Sequence, residues 1–180
     1  MKNLPFPRSY WVVPDSFLAG CYPGSANAAQ AAAKVTGLIE AGVTQTISLM
    51  EAEELDFSGR AFVDYCPLLQ EKADQLGRPM ECSRHPIRDG FVPSLTGMRG
   101  VLDRIDGALS RGGVVYVHCW GGRGRTGSVV ACWLIRHGFA MPAQAVSRLQ
   151  ELTAHNHAAF HPTPENALQR DFVEKWAKGL

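Results

Sequence analysis

Nowhere in this chain do apolar residues run long enough to cross a bilayer: no segment approaches the ~20 consecutive residues that a spanning helix requires, and no membrane span is expected. An excess of one charge is also missing. Lysine and arginine number 18 against 17 aspartates and glutamates, a formal net charge of +1, which gives no reason to expect nucleic acid or a membrane surface as a bulk partner. Cysteine is sparse and odd in number. The five thiols, Cys21, Cys66, Cys82, Cys119 and Cys132, lack the pattern of a disulfide framework. The opening residues Met1-Lys2-Asn3-Leu4-Pro5-Phe6-Pro7-Arg8 hold no apolar core of a signal peptide, so a reducing, cytoplasmic setting is expected. Low-complexity tracts, linkers and repeats are absent too, which leaves a single domain over 1–180 as the expectation.

What is there alternates between strand-like and helix-like stretches, an α/β pattern. Trp11-Val12-Val13 and Phe17-Leu18-Ala19 read as extended pieces around a Pro14-Asp15 turn, and Ser25 is expected to cap a helix over 26–41 that stops at Gly42. A buried strand follows over 43–49. The stretch 61–76, interrupted by Pro67, fits neither period cleanly, and 80–85 reads as another strand. Ser94 caps a helix with Met98, Val101, Leu102, Ile105 and Leu109 at helical spacing. The strand 114–117 comes next, then an almost wholly apolar helix over 128–135 with Gly138 placed to end it. Pro142 and Pro164 suit the first turns of two further helices, the last with Leu168, Phe172, Val173 and Trp176 on one face. Asp103 and Asp106 read as a solvated helix face.

The chemistry concentrates in Val114-Val115-Tyr116-Val117-His118-Cys119-Trp120-Gly121-Gly122-Arg123-Gly124-Arg125-Thr126-Gly127. An apolar strand runs into a glycine-rich turn and then a helix, so Cys119 meets the unpaired N–H groups and positive dipole of a helix N-terminus. Those groups stabilise an anion, and the thiol is expected to ionise readily. Gly121, Gly122 and Gly124 let the backbone of Trp120 to Arg125 turn its N–H groups inward as an anion nest, and Arg125 can offer two parallel donors to a phosphate. His118 is expected to point into the core and fix the loop by hydrogen bonding.

His-Cys, five residues, then Arg-Thr resembles the signature loop of the cysteine-dependent protein tyrosine phosphatases, and most of the chain is similar to their small dual-specificity-like members. The resemblance implies their fold, a central, mainly parallel twisted sheet of four or five strands with helices on both faces. It implies Cys119 as nucleophile, Arg125 and the loop N–H groups as phosphate binders, and Thr126 as donor to the departing sulfur. Asp89, in Pro86-Ile87-Arg88-Asp89-Gly90-Phe91-Val92-Pro93 about thirty residues before the nucleophile, takes the place of the family's general acid. Arg88 departs from the pattern where many relatives have proline. Gln169 corresponds to a glutamine that positions the hydrolytic water, although an exposed helical glutamine explains it equally. The resemblance implies no metal and no cofactor.

The expected substrate is a phosphorylated protein or a small phosphomonoester: phosphotyrosine, with phosphoserine or phosphothreonine admitted by a shallower pocket. An inositol phosphate or phosphoinositide is the alternative, because Arg123 within the loop and Arg88 beside Asp89 add cations near the site, Trp120 and Arg123 standing at its rim. An arginine there can equally pair with a surface carboxylate. A non-catalytic phosphoprotein-binding module normally lacks one of the nucleophile, arginine and acid, and all three residues are here. A rhodanese-like sulfurtransferase would leave Asp89 unexplained. His155, His157 and His161 have a weakly metal-like spacing with no carboxylate or cysteine to complete a set. Cys21, Cys66 and Cys82 are candidates for a protective disulfide with Cys119, with core cysteine as the default. Oligomeric state is left open.

Overall fold

The computed structural model describes residues 3–154, 162–177 and 179–180. Five strands, β1 (Ser9–Val13), β2 (Phe17–Cys21), β3 (Gln45–Ser48), β4 (Glu81–Arg84) and β5 (Val115–Cys119), form one sheet in the order β1-β2-β5-β3-β4. Only β1 runs antiparallel to its neighbour. β5, which carries the signature cysteine, is central and fully buried. Its alternation explains the layering. Val115, Val117 and Cys119 share a core with α3 (Leu95–Ser110), α4 (Gly124–Arg136), α5 (Pro142–Thr153) and α6 (Ala167–Glu174), while Tyr116 faces the layer of α1 (Ala28–Glu40) with Leu18, Leu38 and Val43. The fold is therefore the mainly parallel sheet with helices on both faces that the sequence implied.

Four local expectations need correction. Asn27, not Ser25, caps α1, its side chain accepting from Gln30 N at 3.0 Å, while Ser25 Oγ accepts from Asn27 N. The ambiguous stretch 61–76 resolves into α2 (Cys66–Gln75), for which Pro67 is a first-turn residue rather than an interruption. Pro164 does not open the last helix; Asn166 and Gln169 form a reciprocal capping box that starts it at Ala167. That start turns Gln169, Val173 and Trp176 inward and leaves Leu168 exposed. Asp106 is likewise no free surface carboxylate: it accepts from Trp133 Nε1 at 2.8 Å and pairs with Arg136 at 3.0 Å, tying α3 to α4.

His118 joins the layers. Its Nδ1 lies 3.2 Å from Cys119 O, which can only accept, so this nitrogen carries the proton and Nε2 accepts from Tyr65 Oη at 2.7 Å. The ring is neutral and fully buried. Burial pushes its pKa down to about 3, against the bond to Cys119 O, with the Arg84 and Arg125 charges adding to the fall.

Two consequences are measurable. Because His118 takes up protons far more readily unfolded than folded, its contribution is intact above the ordinary histidine range near 6.5 and is lost as pH falls from there towards about 3. The urea midpoint should drop across that window, and His118→Gln should flatten the drop; an unchanged pH profile in the variant would rule the contribution out. Gly20 is the second case, since a Cβ there would lie 2.5 Å from Arg8 O. Gly20→Ala is expected to destabilise by about 2 kcal/mol, a fall in Tm of about 4–8 °C by calorimetry.

Candidate active site

The signature loop is built on the end of β2 as much as on β5. Cys21 and Cys119 are register partners, and Tyr22 N donates to Trp120 O at 3.0 Å just beyond them. Gly122 adopts φ +76°, and a Cβ there would meet Gly20 C at 2.5 Å and Cys21 N at 2.6 Å. Only glycine allows both that conformation and that approach. α4 follows with Arg123 at its cap and no side chain capping it. Gly127 N bonds back to Arg123 O at 3.1 Å, so the N–H groups of the first turn face Cys119's end of the strand without intrahelical partners. The Thr126 hydroxyl reaches Gly20 O at a long 3.5 Å.

Arg125 carries the strongest electrostatic feature of the fold. Its side chain is 1% exposed, yet it stays charged. Burial opposes the charge; the bond to Glu54 and the fields of Cys119 and Asp89 more than offset it and hold the guanidinium above its ordinary value. Glu54 takes Nη1 at 2.6 Å and Nη2 at 2.8 Å, Ile87 O accepts from Nη1 at 3.1 Å, and Asp89 lies 2.9 Å from Nη2. Sequence reasoning gave Arg125's fork to phosphate, whereas a carboxylate already occupies its two terminal nitrogens. Nε remains, buried and without a hydrogen-bond partner among the described residues.

The Asp89 loop is held from α6. Asn166 Nδ2 donates to Gly90 O at 2.9 Å and Gln169 Nε2 to Phe91 O at 3.4 Å, while the Asp89 side chain is 60% exposed. Gln169 is not the exposed helical residue that was one expectation. It is fully buried beside Gly124, with its oxygen accepting from Glu165 N at 3.1 Å.

Asp89, Cys119, Trp120, Arg123 and Arg125 line one cavity of about 640 Å³. Two of the cations invoked for a polyanionic substrate are already engaged there or nearby. Arg123 pairs with Glu165 at 2.9 Å, and the Arg88 guanidinium sits 4.7 Å from the centre of the Phe91 ring. Trp120 is half-buried against Phe57 and Phe62, ring centres 4.3 and 5.2 Å away. All five cysteines are unbridged. Cys66 and Cys82 hydrogen-bond each other, which with burial pushes the Cys66 thiol up, while the same bond pulls Cys82 down; Cys21 Sγ approaches Pro7 O at 4.0 Å. His155, His157 and His161 lie outside the described residues.

Sequence reasoning missed Glu54, Phe57, Asn166 and Arg8, all of which touch the site or line its cavity. Glu54 sits in the acidic run Glu51-Ala52-Glu53-Glu54, where nothing in spacing separates the buried carboxylate from its solvated neighbours. Phe57 is 95% exposed at the tip of a loop closed by the Leu55–Ala61 bridge and by Asp56 accepting from Ser58 N at 2.8 Å and Arg60 N at 2.9 Å. A lone phenylalanine between polar residues was its available signal.

Comparison with known proteins agrees with the fold. The fold superimposes on the crystal structure of Tk-PTP in the active form with a TM-score of 0.70 at 19% identity, covering 95% of this chain and 97% of that one. A 94-residue segment, 52% of this chain, is 32% identical to phosphatidylglycerophosphate phosphatase PTPMT2 of Arabidopsis thaliana. A 69-residue segment, 38% of this chain, is 32% identical to cyclin-dependent kinase inhibitor 3 of Sus scrofa. Those matches span only 38% and 32% of the two relatives' own lengths. Residues 7–165 match the family described as the Swiss Army Knife protein DSP-PTPase phosphatase domain, PTP-SAK, and with the signature loop, the sheet order and that match together, the chain belongs to this dual-specificity-type phosphatase family.

Proposed function

We propose that this protein hydrolyses phosphomonoesters through a cysteinyl-phosphate intermediate. One observation carries the reading: in a cavity wall beside Cys119, a charged guanidinium keeps a buried N–H with no partner among the described residues. A buried donor left unpaired costs about 1–3 kcal/mol, and a phosphate oxygen is the acceptor that a glycine-rich helix N-terminus selects. Nε takes one oxygen and Nη2 a second, the latter exchanging Asp89 for phosphate, while Glu54 keeps the guanidinium plane fixed. The Cys119 thiolate attacks phosphorus, the bond to the leaving oxygen breaks, and Asp89 gives that oxygen its proton. Water then attacks the thiophosphate, its proton passes to Asp89, and the S–P bond breaks with Thr126 donating to the sulfur. The 3.5 Å contact to Gly20 O is too long to hold the Thr126 hydroxyl elsewhere. Gln169, clamped between the signature loop and the Asp89 loop, keeps both in register with the water's path.

For the substrate, the Phe57–Trp120 pair supports an aryl phosphate such as phosphotyrosine lying along an aromatic wall. Smaller phosphoserine, phosphothreonine and inositol phosphates fit the same chemistry. A cytoplasmic setting suits a nucleophile that must stay reduced, and among the described residues no helix is long and apolar enough to cross a membrane.

Steady-state hydrolysis of phenyl phosphate, without added metal, tests the roles. Cys119→Ser should abolish turnover; retained activity would remove the thiolate from the reaction. Asp89→Asn, which takes the proton donor from the leaving oxygen, should lose about 10²–10³ in kcat; an unchanged kcat would remove Asp89 from that role. Glu54 is a positioning residue. Glu54→Gln should lower kcat/KM by about 10²-fold and weaken competitive inhibition by inorganic phosphate, with partial rescue in Glu54→Asp. Equal phosphate inhibition in wild type and Glu54→Gln would limit Glu54 to a structural part.

A further inference from the structure

The cavity is far larger than the phosphate that its floor is shaped to hold, and its charges leave one cation over. Among its lining residues Arg125 is answered by Glu54 and Asp89, and Arg123 by Glu165. Arg8 lines the same cavity and has no ion-pair partner among the described residues.

The backbone holds Arg8 there. It is one of two non-glycine residues with positive φ among the described residues, at 63°, a conformation that persists for a bulky residue only where its surroundings impose it. Here they do so by close approach: Arg8 O accepts from Cys21 N at 3.1 Å, and the Cβ-free face of Gly20 makes room for that carbonyl. The sheet register fixes the distance. Ser9 pairs with Gly20, so Arg8 stands opposite Cys21, which is the register partner of Cys119. Two strand spacings of about 4.8 Å put the Arg8 backbone roughly 10 Å from that of the nucleophile, across the sheet at the same level.

We propose that Arg8 is a specificity-determining residue that binds a second phosphate of the substrate while the first lies in the signature loop. The preferred substrate is then a small molecule or headgroup with two phosphates close enough together to be held in this one cavity. A guanidinium binds phosphate bidentately. The cavity of about 640 Å³ is within the size range that holds a small ligand, so it has room for one compact molecule bearing both phosphates. This deepens the phosphatase reading and rests on it.

The test compares 1,ω-alkanediol bisphosphates of increasing chain length with the matching alkyl monophosphates, using wild type, Arg8→Ala and Arg8→Lys. Wild type should favour the bisphosphate by tenfold or more in kcat/KM at one spacing and less at shorter ones. Arg8→Ala should bring that ratio towards one, and Arg8→Lys should restore part of it. A ratio unchanged in Arg8→Ala overturns the assignment, and so does an Arg8-dependent preference confined to acidic phosphotyrosine peptides. A second arm presents a phosphoinositide bisphosphate in phosphatidylcholine vesicles beside its soluble headgroup. An Arg8-dependent preference in either form supports the proposal and identifies the source. If wild type turns over no phosphomonoester at all, the phosphatase reading fails. Calorimetric binding of the bisphosphates to wild type and Arg8→Ala then decides the Arg8 assignment alone: tenfold weaker binding in the variant supports it, equal binding overturns it.

Discussion

The site depends on keeping a guanidinium charged in a place where water cannot reach it. Removing a cation from water costs several kcal/mol even after relaxation, and Arg125 is almost wholly enclosed. The acceptors that repay this come from two loops: Glu54 after β3, and Ile87 O and Asp89 after β4. Both loops leave the carboxyl ends of parallel strands, as β5 does with Cys119, and this is where open α/β sheets gather ligand-binding groups. The parallel register places the three ends side by side. Without it the arginine would have no counter-charge and the loop no reason to close around it.

A second constraint is steric and runs across the sheet. Gly122 presses on the Gly20–Cys21 backbone, and Gly20 in turn on the Arg8 carbonyl. Each contact requires a missing Cβ, so the anion nest, the β2 edge and the strained Arg8 form one rigid stack. The Thr126 hydroxyl and Tyr22 N meet the same stack from α4 and from the end of β2. The loop is thus preformed by backbone packing, which suits a site that must present N–H groups to an anion without reorganising.

Most of the frame was legible because its signals are local or periodic. The apolar run into Cys119, the Ser94 cap and the glycine spacing each report on a single element. Contacts between elements left no such trace. Glu54 looks like its neighbours Glu51 and Glu53 until the sheet brings it to Arg125. Arg8 lies in a proline-rich opening that carries no period, and its role in the cavity follows only from register across three strands. For Arg123 the alternative of a surface carboxylate partner is the one the structure shows, and Arg88 lies against the Phe91 ring; which residue answers either cation lay beyond the reach of local pattern. Pro164 was misread because a proline marks a helix start only where no better cap follows, and Asn166 supplies one two residues later.

On the proposed chemistry, the ion pair between Asp89 and Arg125 links substrate arrival to placement of the acid. Asp89 holds Nη2, one of the two donors on which phosphate must land, while the adjacent Nε is unclaimed. An incoming phosphate can therefore bind first at Nε and the nest, then displace the carboxylate from Nη2. The loop does not have to unravel for this, because Asn166 and Gln169 grip Gly90 O and Phe91 O on its far side. Movement is confined to a side chain that is already largely exposed. Glu54, held through both terminal nitrogens and buried, stays behind as the permanent counter-charge. Two carboxylates on one guanidinium thus divide the work by their environments. The enclosed one fixes the phosphate binder, and the exposed one, released from the guanidinium by the arriving phosphate, takes a proton from solvent and gives it to the leaving oxygen.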